Sequence, residues 1–185
     1  MAGFSVITGE QMVPVLYCDL DGTVRLGKDE LGRFVNGPED VEVFPIVPNL
    51  LQGYKELGWR VVGISNQGGI ALGHMSKADC LKSMIETQKK SGNAFDKILW
   101  CSHHPDADSL EMSVCWCRKP LAGMVFEAAW SMTETYPGEI YPPHLGLFVG
   151  DRPEDEGCAK NAGLKFMPAE EWRTSEHYQS LVESQ

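Results

Sequence analysis

The chain has 185 residues, room for one domain with a full core and too little for two. Acidic residues outnumber basic ones 26 to 16, and the net charge of −10 repels a phosphate backbone or an anionic membrane at long range, which sets nucleic acid aside as a partner. No apolar run approaches the roughly 20 residues of a membrane span, and Met1–Gln11 lacks the basic-then-apolar order of a signal peptide, so a cytoplasmic compartment with reduced cysteines is expected.

The elements follow in chain order. Val13–Cys18 is a short apolar run that ends at Asp19 and reads as a buried strand. Asp29–Phe44 has weak periodicity and reads as a loop or small hairpin over the site. Pro48–Leu57 reads as a helix with Pro48 in its first turn and Gly58 as its stop. Arg60–Ile64 is a second strand, ending at Ser65. Ser76–Ser91 is a helix with a Ser-x-x-Asp start and Gly92 as its end. Lys97–Trp100 is a third strand, Leu121–Tyr136 a helix, and Leu145–Val149 a fourth strand leading into Gly150-Asp151. A short helix over Glu154–Asn161 and a fifth strand over Leu164–Met167 follow. Residues 1–12 and 173–185 read as terminal tails, the second polar and partly disordered, around a single domain spanning 1–185. Short apolar strands alternating with helices indicate an α/β fold, a parallel sheet covered by helices on both faces. Ligands of such sheets bind at the carboxyl ends of strands, where this chain places Asp19, Ser65 and Asp151.

Asp19-Leu20-Asp21-Gly22-Thr23 sets two carboxylates two residues apart beyond a buried strand. One can attack phosphorus while its neighbour protonates the leaving oxygen and then activates water. Their mutual repulsion calls for a divalent cation, which Asp151 can help hold, and an all-oxygen site suits Mg²⁺. Ser65-Asn66-Gln67-Gly68-Gly69 offers a hydroxyl, an amide and close backbone approach to a phosphoryl group. Arg118-Lys119 is a cationic pair in an acidic chain, suited to offsetting charge on a transferred phosphoryl and to clamping another substrate oxygen. Asp155 reads equally as a group that orients Lys119 or a metal-bound water, or as a carboxylate favoured by a helix start.

Cys101-Ser102-His103 and Cys115-Trp116-Cys117 are two short pairs separated by a loop with little apolar content. Three thiolates and an imidazole match a closed, structural zinc site that would staple the loop and position Arg118. His103 is preferred to His104 because it stands at the same offset from Cys101 as Cys117 does from Cys115. Cys18, Cys80 and Cys158 read as core or helix residues, His74 and His144 as isolated, and Trp59, Trp100 and Trp130 as packing.

The motifs Asp19-Leu20-Asp21-Gly22-Thr23, Ser65-Asn66-Gln67, Lys119 and Asp151-Arg152-Pro153-Glu154-Asp155 resemble, in order, those of the haloacid dehalogenase superfamily of phosphatases. Cys101-x-His103-His104-Pro105 with Cys115-x-Cys117-Arg118-Lys119-Pro120 resembles its histidinol-phosphate and heptose-bisphosphate phosphatase branch. The resemblance runs from about Val13 to Trp172. It implies a Rossmann-like three-layer α/β/α fold with a minimal cap, an aspartyl-phosphate on Asp19, and Asp21 as acid–base. It further implies Mg²⁺ on Asp19, the backbone carbonyl of Asp21 and Asp151, phosphoryl stabilisation by Ser65 and Lys119, and substrate contacts from Asn66 and Arg118. Zinc would sit on Cys101, His103, Cys115 and Cys117. Two positions depart from the branch: Leu20 stands where many members carry a basic residue, and Leu72 where an arginine is common. The function expected is Mg²⁺-dependent hydrolysis of a small phosphomonoester, a sugar phosphate or histidinol phosphate, by a monomer. The alternatives are a polynucleotide 3′-phosphatase, against which the net charge weighs, and a non-catalytic phosphate-binding module, which would have no use for a paired nucleophile and acid.

Overall fold

The structure, a computed structural model, describes residues 10–27 and 35–184. Its strands are β1 (Gln11–Met12), β2 (Val15–Cys18), β3 (Arg25–Leu26), β4 (Glu42–Val43), β5 (Arg60–Asn66), β6 (Lys97–Cys101), β7 (Glu139–Ile140), β8 (Leu147–Gly150) and β9 (Lys165–Pro168). Its α-helices are α1 (Val47–Glu56), α2 (Lys77–Lys90), α3 (Leu110–Ser113), α4 (Gly123–Thr135), α5 (Pro153–Ala162), α6 (Ala169–Trp172) and α7 (Ser175–Glu183).

Five strands form one parallel sheet in the order β6-β5-β2-β8-β9. The chain builds outward from β2 to β6, then returns across β2 to build β8 and β9 on the other side. The reversal lies at β2, so the carboxyl ends of β2, β5 and β8 converge where ligands of open α/β sheets bind. Strand β2 explains why its sequence is a continuous apolar run. Val15 and Tyr17 face one core with Met124, Val125 and Ala128 of α4 and Cys158 and Ala159 of α5. Leu16 and Cys18 face the other, with Leu50, Leu51 and Tyr54 of α1, Cys80 and Met84 of α2, and Leu181 of α7. Alternation is hidden because both faces are covered.

The helix punctuation is local chemistry. Ser76 caps α2 by accepting from the Asp79 amide at 3.0 Å, and Gly92, at φ +72°, closes the other end in the left-handed conformation that glycine adopts without strain.

Several expectations need correction. The stretch after Trp172 is the helix α7, capped by Thr174 and packed through Leu181 against α1, rather than a disordered tail. Gln11–Met12 pairs in parallel with β7. Trp130 is 73 % exposed on α4, so it is not a packing residue. Of Asp29–Phe44, expected as a loop or small hairpin over the site, the described part holds β4, which pairs antiparallel with β3 ahead of the stretch, and both β4 and the short 3-10 turn before it lean on α2. Residues 28–34 of that stretch lie outside the described residues.

Candidate active site

The turn after β2 is knotted by its own backbone. Leu20 O accepts amides from Thr23, Val24 and Arg25, and the Gly22 amide returns to Arg25 O at 2.8 Å. Gly22 has φ +95°, and a Cβ there would stand 2.3 Å from Asp151 Oδ2. Glycine thus lets the turn close and lets Asp151, just past β8, approach it.

Asp19 is buried at the end of β2, and Lys119 Nζ pairs with its Oδ1. The same ammonium lies 2.6 Å from Asp155 Oδ1 and donates to Ile64 O at 3.1 Å. Burial acts to lower the Lys119 pKa, but the two carboxylates outweigh it and the pKa is raised. Burial pushes the Asp19 carboxyl above the ordinary range, with Lys119 opposing the shift, and burial followed by the Asp19 charge raises Asp151. Asp155 answers both of its sequence readings: besides pairing with Lys119, it accepts the Arg152 amide at 3.0 Å and so caps α5.

Asp19 Oδ2 is buried without a hydrogen-bond partner. Leaving such an oxygen empty costs about 1–3 kcal/mol. Asp19, Asp151 and Asp155 each bring one carboxylate oxygen within 4.8 Å of the others. Asp155 Oδ1 lies 2.6 Å from the Lys119 ammonium and its Oδ2 accepts the Arg152 amide, whereas Asp151 takes a longer hydrogen bond from Thr23 Oγ1 at 3.3 Å, so Asp19 Oδ2 and Asp151 are the better-placed donors for a hard cation.

Asp21 carries a different environment. Its carboxylate receives Arg25 Nε at 2.9 Å, Gln67 Nε2 at 2.6 Å and Ser65 Oγ at 3.4 Å. A small cavity is lined by Asp19, Asp21, Ser65, Asn66 and Lys119 together with Arg152, Glu154 and Asp155. A larger cavity of about 340 Å³ opens beside it, lined among others by Asn36, Leu72, His74, His104, Arg118 and Arg152. Asp21, Asn66, Arg152 and Glu154 border both. The amide of Asn66 clasps the Lys119 backbone, accepting its N–H at 3.0 Å and donating to its carbonyl at 3.1 Å.

The cysteine pairs converge at the end of β6, where Cys101 is in register with Asn66 of β5. Cys101 Sγ lies 3.0 Å from Cys117 Sγ and 3.7 Å from Cys115 Sγ, and His103 Nδ1 lies 3.4 Å from both Cys101 and Cys117. All four donor atoms fall within 4.8 Å of one another, a set suited to a tetrahedral zinc ion. The cluster grips the residue that follows it: the Arg118 amide donates to Cys115 Sγ at 3.4 Å, and Arg118 Nη1 to His103 O at 2.9 Å.

No family model matches the chain. The chain is 32% identical over 164 residues to the D-glycero-β-D-manno-heptose-1,7-bisphosphate 7-phosphatase of Yersinia pestis, covering 85% of this chain and 81% of that protein. It superposes on the D,D-heptose 1,7-bisphosphate phosphatase of B. bronchiseptica, solved with magnesium and phosphate, with a TM-score of 0.66 at 26% identity over 84% of this chain and 79% of that one. The chain belongs to the haloacid dehalogenase superfamily and is a phosphatase. A further relative is the bifunctional histidine-biosynthesis protein HisB of Legionella pneumophila, 27% identical over 92% of this chain and 45% of that protein.

As a haloacid dehalogenase phosphatase, the chain holds more around its motifs than the sequence reading found. His74, read as isolated, and His104, weighed only against His103, both line the larger cavity. His104 approaches because position 68 is glycine: a Cβ there would lie 2.7 Å from its ring and 3.0 Å from Arg118 Nη1. Arg25 is wholly buried beside Asp21. Arg173, placed in the tail by sequence, donates to the carbonyls of Gly22 and Thr23 at 2.8 and 2.7 Å and stacks on Phe44. A cation set between Val24 and Leu26 was the available signal for Arg25; Arg173 offered none.

Proposed function

We propose that the chain hydrolyses small phosphomonoesters through a phosphoryl group carried on Asp19, with Asp21 as acid and then base. In the first step an Asp19 oxygen attacks phosphorus, the ester P–O bond breaks, and Asp21 gives a proton to the departing oxygen. In the second step water attacks phosphorus, Asp21 takes a proton from it, the acyl-phosphate P–O bond breaks, and inorganic phosphate leaves. Ser65 and Lys119 stabilise the phosphoryl oxygens, and Asn66 keeps Lys119 in place by holding its backbone. Arg118 and Asn66, which line the larger cavity, would contact the leaving group. Asp19, the backbone carbonyl of Asp21 and Asp151 would hold Mg²⁺, which when bound neutralises the phosphate and the crowded carboxylates. Cys101, His103, Cys115 and Cys117 would hold zinc, which ties the loop that presents Arg118 and Lys119.

The observation that carries this reading is the place of Asp21. It borders both the small cavity around Asp19 and the larger one, from where its carboxylate would reach the oxygen between phosphorus and leaving group. The larger cavity's size and its mix of cations, amides and imidazoles suit a sugar phosphate or histidinol phosphate, and the relatives that act on a heptose bisphosphate support that class. The test is phosphate release with Mg²⁺ across sugar phosphates, histidinol phosphate, nucleotides and 3′-phosphorylated oligonucleotides. Turnover should favour the first two, and Asp19→Asn should lose at least about 10³-fold. Unchanged release in Asp19→Asn would refute the mechanism, and preference for oligonucleotides with a steep salt dependence would reverse the substrate class.

A further inference from the structure

We infer that Arg25 is the positioning residue for Asp21 and couples it to helix α2; the inference rests on the acid–base role of Asp21. The Arg25 side chain is wholly buried, and a buried guanidinium is tolerated only where its donors are paired. Its two edges serve different partners. One edge faces Asp21, with Nε 2.9 Å from Oδ1 and Nη2 3.5 Å from Oδ2. On the other, Nη1 donates to Thr87 Oγ1 at 2.6 Å and Ser83 O at 3.2 Å, both on α2, with Met84 Sδ at 3.9 Å. Ser83 and Thr87 are themselves buried, and Thr87 Oγ1 donates in turn to Ser83 O at 2.7 Å, so the anchor is fixed before Arg25 reaches it.

Asp21 is therefore held from two sides. Gln67 Nε2 fixes Oδ2 at 2.6 Å while also meeting Ser65 Oγ at 2.8 Å, and Arg25 fixes the opposite edge. Proton transfer needs donor and acceptor at about 2.6–3.2 Å, and a carboxylate free to rotate would meet the leaving oxygen only part of the time. Arg25 touches no part of either cavity, so its effect on the reaction passes through Asp21. The consequence is selective. A leaving group that departs as a stable anion needs no proton and little help from a well-placed Asp21. An alkoxide needs both.

The experiment measures kcat/KM with Mg²⁺ on p-nitrophenyl phosphate and on glycerol phosphate for the full chain and for Asp21→Asn, Arg25→Gln and Thr87→Val. Arg25→Gln should lose about 100-fold on glycerol phosphate and under about fivefold on p-nitrophenyl phosphate, and Thr87→Val should show the same bias at about five- to tenfold. A role confined to folding would lower both substrates alike. Equal losses in Arg25→Gln, or in Thr87→Val if Arg25→Gln does not fold, overturn the inference. Asp21→Asn separates the two levels: with no leaving-group bias there, the acid–base reading itself fails, whereas bias in Asp21→Asn without bias in Arg25→Gln removes Arg25 alone.

Discussion

At Gly22 two demands meet in one position: a backbone φ of +95° and an Asp151 carboxylate where a side chain would begin. Gly22→Ala should therefore act on Asp151 as much as on the turn. With Asp151 displaced from Asp19 Oδ2, the apparent Mg²⁺ affinity of phosphatase activity should fall by about 10–100-fold, as when a group that orients a metal ligand is lost; an unchanged Mg²⁺ titration would separate Asp151 from the metal. Lys119 shows the same economy. It is presented by a backbone clasp from Asn66, directed by Asp155 and paired with Asp19, so three residues read separately in the sequence serve one ammonium. The motif residues were legible because their chemistry is local and uncommon in combination. Arg25, His104 and Arg173 were not, because what gives each its place is a contact made only when distant segments meet: α2 for Arg25, the Gly68 turn for His104, the Asp19 turn for Arg173.

At the scale of elements, the five sheet strands were readable to within two residues at each end; burial on both faces leaves an apolar run in β2, β5 and β8, whereas the edge strand β9 holds no buried residue. The two-residue strands β1, β3, β4 and β7 carry no period to read. Helix α7 was missed for a related reason: Leu181 is its one fully buried apolar residue. Its docking also rests on Tyr54 Oη and His177 Nε2, 3.0 Å apart. Burial lowers the His177 pKa, against a smaller opposing pull from Glu171, so the unfolded helix takes up a proton first as pH falls. Its stabilising share is complete above the ordinary histidine range near about 6.5 and is lost as pH falls below it toward the depressed folded value. Protection factors of α7 amides, corrected for the intrinsic pH dependence of exchange, should fall between pH 7.5 and pH 5.5, and His177→Gln should abolish that difference. The segment from Cys101 to Cys117 depends on its cluster instead, since within it α3 has four residues and Leu110 is 80 % exposed. Purified protein should contain about one equivalent of zinc. Cys115→Ser should lower that content and, through Arg118 and Lys119, lower turnover with it; full zinc in the variant would exclude Cys115 as a ligand.

Across the whole molecule, the order β6-β5-β2-β8-β9 brings three strand ends together, and the chemistry-bearing residues of distant sequence stretches meet there. The net charge of −10 and the cationic side of the larger cavity are compatible, because Arg118 and Arg152 act within the site while the surface charge acts on what approaches it. Among the described residues no helix is long and apolar enough to cross a membrane. The described part of the β3–β4 region is a two-strand hairpin lying on α2, and the larger cavity takes only Val35 and Asn36 from residues 35–44 around it. Among the described residues, the small cavity around Asp19 is lined from the ends of the sheet strands, the Lys119 loop and the start of α5. The most direct test of the covalent route is borohydride trapping during turnover, followed by peptide mass spectrometry. Reduction of an acyl phosphate converts that aspartate to homoserine, so substrate-dependent homoserine at position 19 is the expected result. Turnover with Asp19 unmodified, or with another carboxylate reduced in its place, would contradict it.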